Sequence, residues 1–521
     1  MSKPPRILIL GGGSRGHTYA SFITSNAITV PATVVAIADP NPIARRTLGA
    51  RYIWGPRGRG PRYDEEFTGW EEWVVYERER RTELVGRGLA ALGGVDAVVV
   101  AVLDEMHVEV CEALAELGGV HVLCEKPLAT SLGDCLRIYR GLGGRGGKEG
   151  LETLFGICHV LRYSPHNLML RELVLERGVV GDVVSVEHTE PVGWWHFSHS
   201  YVRGNWRKES KTAPSLLTKS CHDIDWILWM LCSQPKGSTR PPHLPSQVSS
   251  TGSVKFFKNS RKPQEAGDAT NCLSCPIENS CMYSAKKIYL ERFFENGIAG
   301  WPVKILNPEI EELYTANNIP AAKEKLMKRI AEDYTKGTPI EEIENRQWYG
   351  RCVWESDNDV CDDQSVTITW EDDPLPEGNN YLERVKGRGA KTAQFHMVAF
   401  TEKQCDRRGR IYGTKGEIEY DSFTIKVHDF TSGTTKEYYP KQEGGGHGGG
   451  DAGIAMQFVK AIDAVKNGGM SVEKAQKEYI GCTLEEIFRS HAMVFAVEHA
   501  RTRNQVINWS EWWEKEVDAA L

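Results

Sequence analysis

The feature that most constrains the fold is a glycine-rich loop directly after the first apolar segment of the chain. The aliphatic stretch Arg6–Leu10 runs into Gly11-Gly12-Gly13-Ser14-Arg15-Gly16, which fits the pattern G-x-G-x-x-G. A helix pattern follows, and Asp39 stands 23 residues beyond Gly16, at the end of a second aliphatic stretch. A strand, a glycine loop, a helix and an acid in this order form the fingerprint of a dinucleotide-binding unit.

Each position of the loop has a physical role in such a unit. Gly11 permits the tight turn, Gly13 lets the backbone approach a pyrophosphate, and Gly16 allows close packing of helix on strand. Ser14 and Arg15 open the helix, whose free N–H groups and partial positive charge attract phosphates. The loop is therefore predicted to bind a dinucleotide cofactor.

Asp39 predicts which dinucleotide binds. Its carboxylate can accept both hydrogens of a ribose diol and would repel a 2′-phosphate, so NAD is favoured over NADP. Arg45 and Arg46 lie nearby and weaken that preference.

Alternating strand and helix patterns predict an α/β fold with a doubly wound parallel sheet in residues 1–160. After residue 161 the pattern changes to an α+β domain, residues 161–521, with an open and mostly antiparallel sheet. A Cys-rich insertion occupies about residues 250–361. The predicted strands are Arg6–Leu10, Thr33–Ala38, Asp96–Leu103, Val120–Cys124, Leu154–Val160, Val183–His188, Ser365–Trp370, Ala393–Phe400, Gly416–Tyr420 and Thr424–His428. The first predicted helix follows the glycine loop and ends at about Ser25. The others cover Met106–Leu117, Leu132–Tyr139, Asp223–Leu231, Ala321–Asp333, Ala452–Lys466 and Leu484–Arg501.

Composition excludes several classes of protein. The net charge of −7 does not favour nucleic acid as a partner. No apolar run approaches the roughly 20 residues that cross a bilayer, so no membrane association is expected. The 13 cysteines are odd in number, and the N-terminus lacks the apolar core of a signal peptide. Reduced thiols and a cytoplasmic location are therefore expected.

Further motifs place the chain in a known context. Glu125-Lys126-Pro127 follows the fourth predicted strand, and His107 follows the third. Further along stand Gly181-Asp182-Val183, His222 at the start of a helix, and Gly413-Thr414-Lys415-Gly416-Glu417-Ile418. In this order they resemble the glucose–fructose oxidoreductase, inositol dehydrogenase and MocA-like (Gfo/Idh/MocA) family.

The resemblance implies hydride transfer between NAD(P) and a hydroxyl-bearing carbon of a sugar, cyclitol or related polyol. It adds His107, Glu125 and Lys126 to the cofactor-binding residues. It also implies that the second domain carries the substrate site, and that its sheet joins subunits in a homodimer or homotetramer.

For catalysis the resemblance points to His222 as the base and Lys126 as the group that stabilises developing alkoxide charge. The family pattern has Asp four residues before the His, whereas this chain has Thr218 there. Lys219 is then a further candidate for the proton relay. Asp225, three residues along the predicted helix, is a candidate to orient the His222 ring.

Seven residues are candidates for the substrate site, because they follow the last Rossmann strand or lie in one polar and aromatic loop. They are His159, Arg162, Tyr163, His196, His199, Tyr201 and Arg203. A purely structural aromatic loop is the alternative. Gly444–Gly450, with His447 and then Asp451, is either a turn that closes over substrate or a mobile loop.

The cysteines of the insertion indicate a metal. Cys272-x2-Cys275-x5-Cys281, with Cys352 as fourth ligand, would make a closed structural zinc site of tetrahedral geometry. Cys361 is the alternative fourth ligand, an iron–sulfur cluster is a second interpretation, and unligated thiols are a third.

The leading functional hypothesis is an NAD-dependent sugar or polyol dehydrogenase. A glycosidase that uses bound NAD for transient oxidation and elimination needs the same residues. A non-catalytic nucleotide-sensing regulator of the same fold is the third reading.

Overall fold

A computed structural model describes residues 3–25, 29–87, 94–144, 152–235, 237–442 and 446–521. Within these ranges the chain builds two sheets, and helices cover both of them. The first sheet is six-stranded and wholly parallel, and its strand order is β3-β2-β1-β4-β5-β6. Its strands are β1 Arg6–Leu10, β2 Thr33–Ala38, β3 Glu66–Phe67, β4 Ala97–Val100, β5 His121–Cys124 and β6 Phe155–Ile157.

This order is that of a Rossmann sheet, which confirms the predicted α/β fold. The glycine loop comes directly after β1, Asp39 directly after β2, and the turn with Lys126 and Pro127 directly after β5. In a parallel sheet these strand ends share one edge, and the order reverses between β1 and β4. Ligands of doubly wound sheets bind at such a reversal.

The second sheet has nine strands in the described residues, in the order β14-β13-β12-β11-β7-β10-β9-β8-β15. Only the pair β10 and β7 is parallel among these neighbours, so the predicted mostly antiparallel sheet is confirmed. Its strands are β7 Val183–Pro191, β8 Gln247–Ser253, β9 Asp363–Trp370, β10 Lys391–Val398, β11 Arg408–Gly413, β12 Gly416–Tyr420, β13 Ile425–Asp429, β14 Thr434–Tyr438 and β15 Ile507–Asn508.

The helices of the Rossmann region are α1 Ser14–Ile23, α2 Pro42–Tyr52, α3 Trp70–Gly86, α4 His107–Leu117 and α5 Leu132–Gly141. The following helices are α6 Pro165–Arg171, α7 Trp194–Phe197, α8 Ser215–Thr218, α9 Cys221–Leu231, α10 Val303–Leu306, α11 Glu309–Thr315, α12 Ile319–Ala331, α13 Ile340–Asn345 and α14 Tyr381–Val385. The last are α15 Gly450–Lys466, α16 Val472–Ala475, α17 Leu484–Arg503 and α18 Trp509–Trp513.

Helix α9 lies between the second sheet and the Rossmann region. All of its residues are buried. Trp226 stacks on His188 of β7, with 4.3 Å between ring centroids, and α17 packs along the helix. Because α9 begins with His222, this packing fixes where the predicted base stands.

The Cys-rich insertion has a hydrophobic core of its own. Trp195, Tyr289, Leu326 and Tyr349 belong to this cluster, and Cys272 lies at its border. The apolar faces of α10, α11 and α12 supply most of the remaining members. The insertion therefore folds around its own small core beside the second sheet.

The glycine loop depends on a close backbone approach. Gly11 has a φ of +95°, and a Cβ on Gly16 would stand 2.0 Å from the carbonyl oxygen of Gly11. A Cβ on Gly13 would instead meet nothing within 4 Å. The loop thus excludes a side chain at Gly16 for packing reasons and leaves open space over Gly13.

We expect Gly16→Ala to lower the free energy of unfolding by about 1–3 kcal/mol, because the added methyl forces helix α1 off β1. Gly13→Ala is the matched control and should change it by less than about 0.5 kcal/mol. Chemical denaturation of both variants measures the difference. Equal stabilities would contradict the packing role of Gly16.

Candidate active site

The glycine loop leads directly from β1 into the first turn of helix α1, at the edge of the first sheet. Helix α1 begins at Ser14 after Gly13, and no side chain caps it. The first amides of an uncapped helix carry free N–H groups, and anions bind to them. With the open space over Gly13, this cradle fits a pyrophosphate.

Asp39 supports the loop as well as facing solvent. One carboxylate oxygen accepts from the Gly12 amide at 2.7 Å, and the other accepts from the Asn41 amide at 2.7 Å. Each oxygen keeps a further lone pair for a ribose hydroxyl. Both nearby arginines already have carboxylate partners: Arg45 pairs with Glu66 at 2.9 Å, and Arg46 with Glu312 at 2.8 Å.

A buried ion network joins this loop to the Lys-Pro turn after β5. Arg15 donates to Glu125 at 2.5 Å and to Asp451 at 2.6 Å. Glu125 also accepts from the Tyr19 hydroxyl at 2.7 Å and from the Lys126 amide at 3.1 Å. Burial opposes ionisation of Glu125, but Arg15 and these hydrogen bonds outweigh it and lower its pKa.

His107 stands at the start of α4 and supports the same turn. Its Nδ1 donates to the Pro127 carbonyl at 2.7 Å. Its buried Nε2 has no partner among the described residues. The ring therefore holds the backbone that carries Lys126.

The Lys126 ammonium is held by a backbone oxygen of α8. Its Nζ donates to the Thr218 carbonyl at 2.5 Å and lies 6.0 Å from the centre of the Trp206 ring. The Thr218 hydroxyl turns away and donates to the Pro214 carbonyl at 3.3 Å. Thr218 stands where the family pattern has Asp, and it holds Lys126 through its main-chain carbonyl instead of a side-chain carboxylate.

His222 is a buried imidazole in a group of histidines. Its ring centre lies 5.8 Å from that of His159 and 5.9 Å from that of His447. Its Nδ1 has no hydrogen-bond partner in the described part of the chain. Burial, and next the neighbouring Lys126 charge, lower the pKa of His222 well below its usual range, so the ring is neutral.

The structure gives Asp225 a partner other than His222. Both of its oxygens accept from Arg162 at 2.8 Å, and one lies 3.7 Å from Nε2 of His159. Burial lowers the pKa of His159 to about 3, although Asp225 opposes the shift. Asp225 therefore acts on His159, which in turn packs against His222.

Lys219 belongs to a charged network beneath the site. Its Nζ lies 2.9 Å from Glu190 and 3.0 Å from Sγ of Cys405. Arg407 pairs with Glu190 and with Asp223 at 2.9 Å each. Burial disfavours the ammonium, but Cys405 and Glu190 outweigh it and raise the pKa of Lys219, so this lysine stays charged.

The predicted substrate residues separate into groups. Arg162 and Tyr163 are buried and already have partners, since Arg162 donates to Asp225 and Tyr163 donates to the Ile480 carbonyl at 2.7 Å. His196 stays near the site, with Nδ1 3.8 Å from Cys405, and Tyr201 stacks on Trp206.

His199 and Arg203 instead turn into the insertion. His199 bonds the Tyr289 hydroxyl at 3.0 Å, and Arg203 donates to the Tyr283 carbonyl at 2.7 Å. The polar and aromatic loop thus sends some side chains toward the site and others into the Cys-rich insertion. His159, His196 and Tyr201 remain candidates for contact with substrate.

Sequence reasoning did not identify Asp104 in this region, and it named Asp451 only as the residue after the glycine-rich turn. Asp104 is buried and accepts from the Trp206 indole at 2.8 Å, and burial raises its pKa. It follows β4 at the ligand-binding edge, a position that the sequence does show. Asp451 joins Arg15 and His447, and no local signal marks a partner so far along the chain. Gly444 and Gly445 of the predicted turn lie outside the described residues.

Four cysteines of the insertion line one cavity, together with Arg203. They are Cys272, Cys275, Cys281 and Cys352. Nevertheless, no three His, Cys, Asp or Glu residues in the described ranges form a set that could hold a metal ion. The predicted zinc site is therefore not confirmed, and Cys361 does not line this cavity.

Comparison with known proteins identifies the first domain. Residues 6–146 match the family model described as Oxidoreductase family, NAD-binding Rossmann fold, of Gfo/Idh/MocA. These residues are therefore similar to the NAD-binding domain of the Gfo/Idh/MocA family. The resemblance predicted from the motifs is confirmed.

Two curated relatives show how far this similarity extends. Inositol 2-dehydrogenase 1 of Saccharopolyspora erythraea is 29% identical over 231 residues, 44% of this chain and 55% of that protein. The 2,7-anhydro-N-acetylneuraminate hydratase of Escherichia coli is 30% identical over 145 residues, 28% of this chain and 36% of that protein. The matches thus span about half or less of these Gfo/Idh/MocA relatives.

Two solved structures match nearly the whole fold. Levoglucosan dehydrogenase in complex with NADH and levoglucosan superimposes with a TM-score of 0.55 at 14% identity, covering 97% of this chain and 99% of that one. An inositol dehydrogenase homologue in complex with NAD+ from Azotobacter vinelandii gives 0.58 at 12% identity, with 97% of both chains covered. At these identities the likeness shows the fold. In the described part of the chain, no helix is long and apolar enough to cross a bilayer.

We expect Asp39→Asn to weaken NADH binding about tenfold, because hydrogen bonds to a charged group contribute about 1.5–3 kcal/mol. Binding of NADPH should weaken less, since the repulsion of its 2′-phosphate is lost too. Fluorescence titration with both cofactors measures the ratio. Arg46→Gln, on the surface pair with Glu312, is the control. An unchanged NADH to NADPH ratio in Asp39→Asn would contradict a ribose contact.

Proposed function

We propose that this protein is an NAD-dependent dehydrogenase that oxidises a CH–OH group of a sugar, cyclitol or related polyol. The observation that carries the proposal is the pairing of a lysine amine and a neutral imidazole at one edge of the Rossmann sheet. Lys126 follows β5 there, and His222 enters the same place from α9. The hydrogen bond from Lys126 to the Thr218 carbonyl supports this pairing, because Thr218 stands only four residues before His222 along the chain.

These residues fit the requirements of alcohol oxidation. NAD, when bound on the glycine loop, supplies the hydride acceptor. His222 can take the hydroxyl proton because its ring is already neutral. Lys126, aimed by the Thr218 carbonyl, can donate a hydrogen bond to the substrate oxygen as negative charge develops on it.

The surroundings of these groups support a polyol as substrate. His159, His196, Tyr201 and Trp206 supply rings and ring nitrogens beside Lys126 and His222. Aromatic faces pack on sugar C–H surfaces, and polar side-chain groups bond hydroxyls. The names of relatives, inositol and levoglucosan dehydrogenases among them, agree with this class.

NAD rather than NADP follows from Asp39, and from the carboxylates that already neutralise Arg45 and Arg46. A cytoplasmic location is proposed because all 13 cysteines are unpaired thiols. We also propose a homodimer or homotetramer assembled on the second sheet, which light scattering of the purified chain would test.

The first experiment follows NADH formation with a panel of inositols, sugars, uronates and aryl glycosides. NADH accumulating with a polyol supports the dehydrogenase. Cleavage of an aryl glycoside without net NADH would support the glycosidase instead. Tight NAD binding with neither reaction would support the regulator.

We expect His222→Asn to lower kcat by about 10² or more, because the hydroxyl proton loses its acceptor. NADH affinity should stay within about twofold. The control is His428→Asn, a histidine that bonds the Thr435 hydroxyl in an exposed hairpin. Unchanged turnover in His222→Asn would remove this residue from the mechanism.

The same base has a signature in the pH profile. Since burial lowers the pKa of His222, the neutral ring persists as pH falls through its ordinary value of about 6.5. We therefore expect kcat/KM to hold between about pH 7 and about pH 6. A fall of about threefold over this range, with an inflection near 6.5, would show a ring that titrates like free imidazole.

A further inference from the structure

The four cysteines of the insertion meet around one cavity although they come from distant segments. Cys272, Cys275, Cys281 and Cys352 all line this cavity. Its remaining lining is mostly apolar or aromatic. These residues are Ala266, Ile277, Tyr283, Val353 and Trp354. The lining also contains Glu278, whose carboxylate accepts from the Ser284 hydroxyl.

The backbone places these thiols with regular hydrogen bonds. The Cys272 amide donates to the Gly350 carbonyl at 2.8 Å, and the Cys352 amide donates to the Thr270 carbonyl at 2.7 Å. This short antiparallel bridge sets the first and fourth cysteines side by side. Turns then bring round the other two, since the Cys275 amide donates to the Cys272 carbonyl at 3.2 Å and the Cys281 amide to the Ile277 carbonyl at 3.0 Å.

A cation lines the same cavity without an anionic partner. Arg203 is 1% exposed, and no carboxylate in the described ranges forms an ion pair with it. Its Nε and Nη2 donate to the carbonyls of Arg351 and Tyr283 at 2.7 Å each, and Nη2 lies 3.4 Å from Sγ of Cys272. Nη1 is buried with no partner in the described part of the chain. A buried guanidinium requires a counter-charge.

The arrangement of the thiols favours a polynuclear group over a single ion. A tetrahedral zinc site, with Zn–S near 2.3 Å, needs its sulfurs only about 3.8 Å apart. These cysteines share a cavity, yet no three of them converge into a ligand set for one ion. A cluster with four irons bonds each thiolate at a separate corner, so its ligands surround a cavity at wider spacing.

We propose that this cavity binds a [4Fe–4S] cluster through Cys272, Cys275, Cys281 and Cys352. Each thiol releases its proton to solvent and its Sγ bonds one iron, and the binding step itself transfers no electron. The cluster with four thiolates is an anion, and Arg203 supplies both its counter-charge and an N–H donor to sulfur.

The position of the cluster indicates a structural role with an effect on the site. It would join the small core of the insertion to the loop that carries Arg203. The same loop carries His196, Tyr201 and Trp206 to Lys126. Loss of the cluster should therefore weaken polyol binding, while the glycine loop keeps its affinity for NADH.

The test uses the full chain purified without oxygen. We expect about four irons and about four acid-labile sulfides per chain, with a broad visible absorption that dithionite bleaches. Cys275→Ala and Cys281→Ala should each lose most of the iron and the absorption. Cys361→Ala, which removes a buried thiol outside the cavity, is the matched control and should keep both. NADH titration of every variant shows that the Rossmann domain is folded.

A second variant tests the counter-charge without removing a ligand. Arg203→Gln keeps all four thiols and should shorten the lifetime of the cluster in air at least severalfold, while Arg203→Lys should restore part of it.

Three results would overturn the proposal. One is about one zinc per chain without sulfide. Another is metal-free protein after anaerobic reconstitution with iron and sulfide. The third is a cluster retained in both Cys275→Ala and Cys281→Ala.

Discussion

The ion pairs of half-buried Arg15 with the buried carboxylates of Glu125 and Asp451 are the interactions on which the site depends. They link the first helix, the Lys-Pro turn after β5 and the start of α15, which lies 436 residues from Arg15 along the chain. Buried charges are stable only when they are paired, and removing one partner leaves an uncompensated charge that costs several kcal/mol. The three segments therefore hold one another in place, and the glycine loop and Lys126 keep a fixed relation.

A second charged network fixes the position of helix α9. Asp223 stands beside His222 in the sequence and pairs with Arg407 and His188 at 2.9 Å each. Lys219 and Glu190 extend this network beneath the site. Helix α9 is thus anchored to the second sheet through charge as well as through Trp226. The base is held by the second domain and the lysine by the first, so the site exists only where both domains meet.

Much of the fold was predictable, because the Rossmann strands are buried on both faces and appear as aliphatic runs. The bounds of β1 and β2 agree with prediction to the residue, while β4 and β6 are shorter than their apolar runs. Strand β11 was missed because its arginines and glycines lack the usual alternation, and β8 because it is mostly Ser, Thr and Gly. Helix α3 was missed because few of its residues face a core.

The sequence by itself determined the Rossmann fold, the cofactor cradle and the identity of Lys126 and His222 as candidates. Each of these rests on short-range pattern: a glycine spacing, an aliphatic run, or a motif directly after a strand. The tertiary structure alone decided the partners. In the structure Asp225 pairs with Arg162 and lies beside His159. The Thr218 carbonyl binds Lys126 where the family pattern has a carboxylate. Arg203 contacts Cys272 of the insertion. Such choices depend on which buried charges meet across distant segments, and local spacing does not encode that.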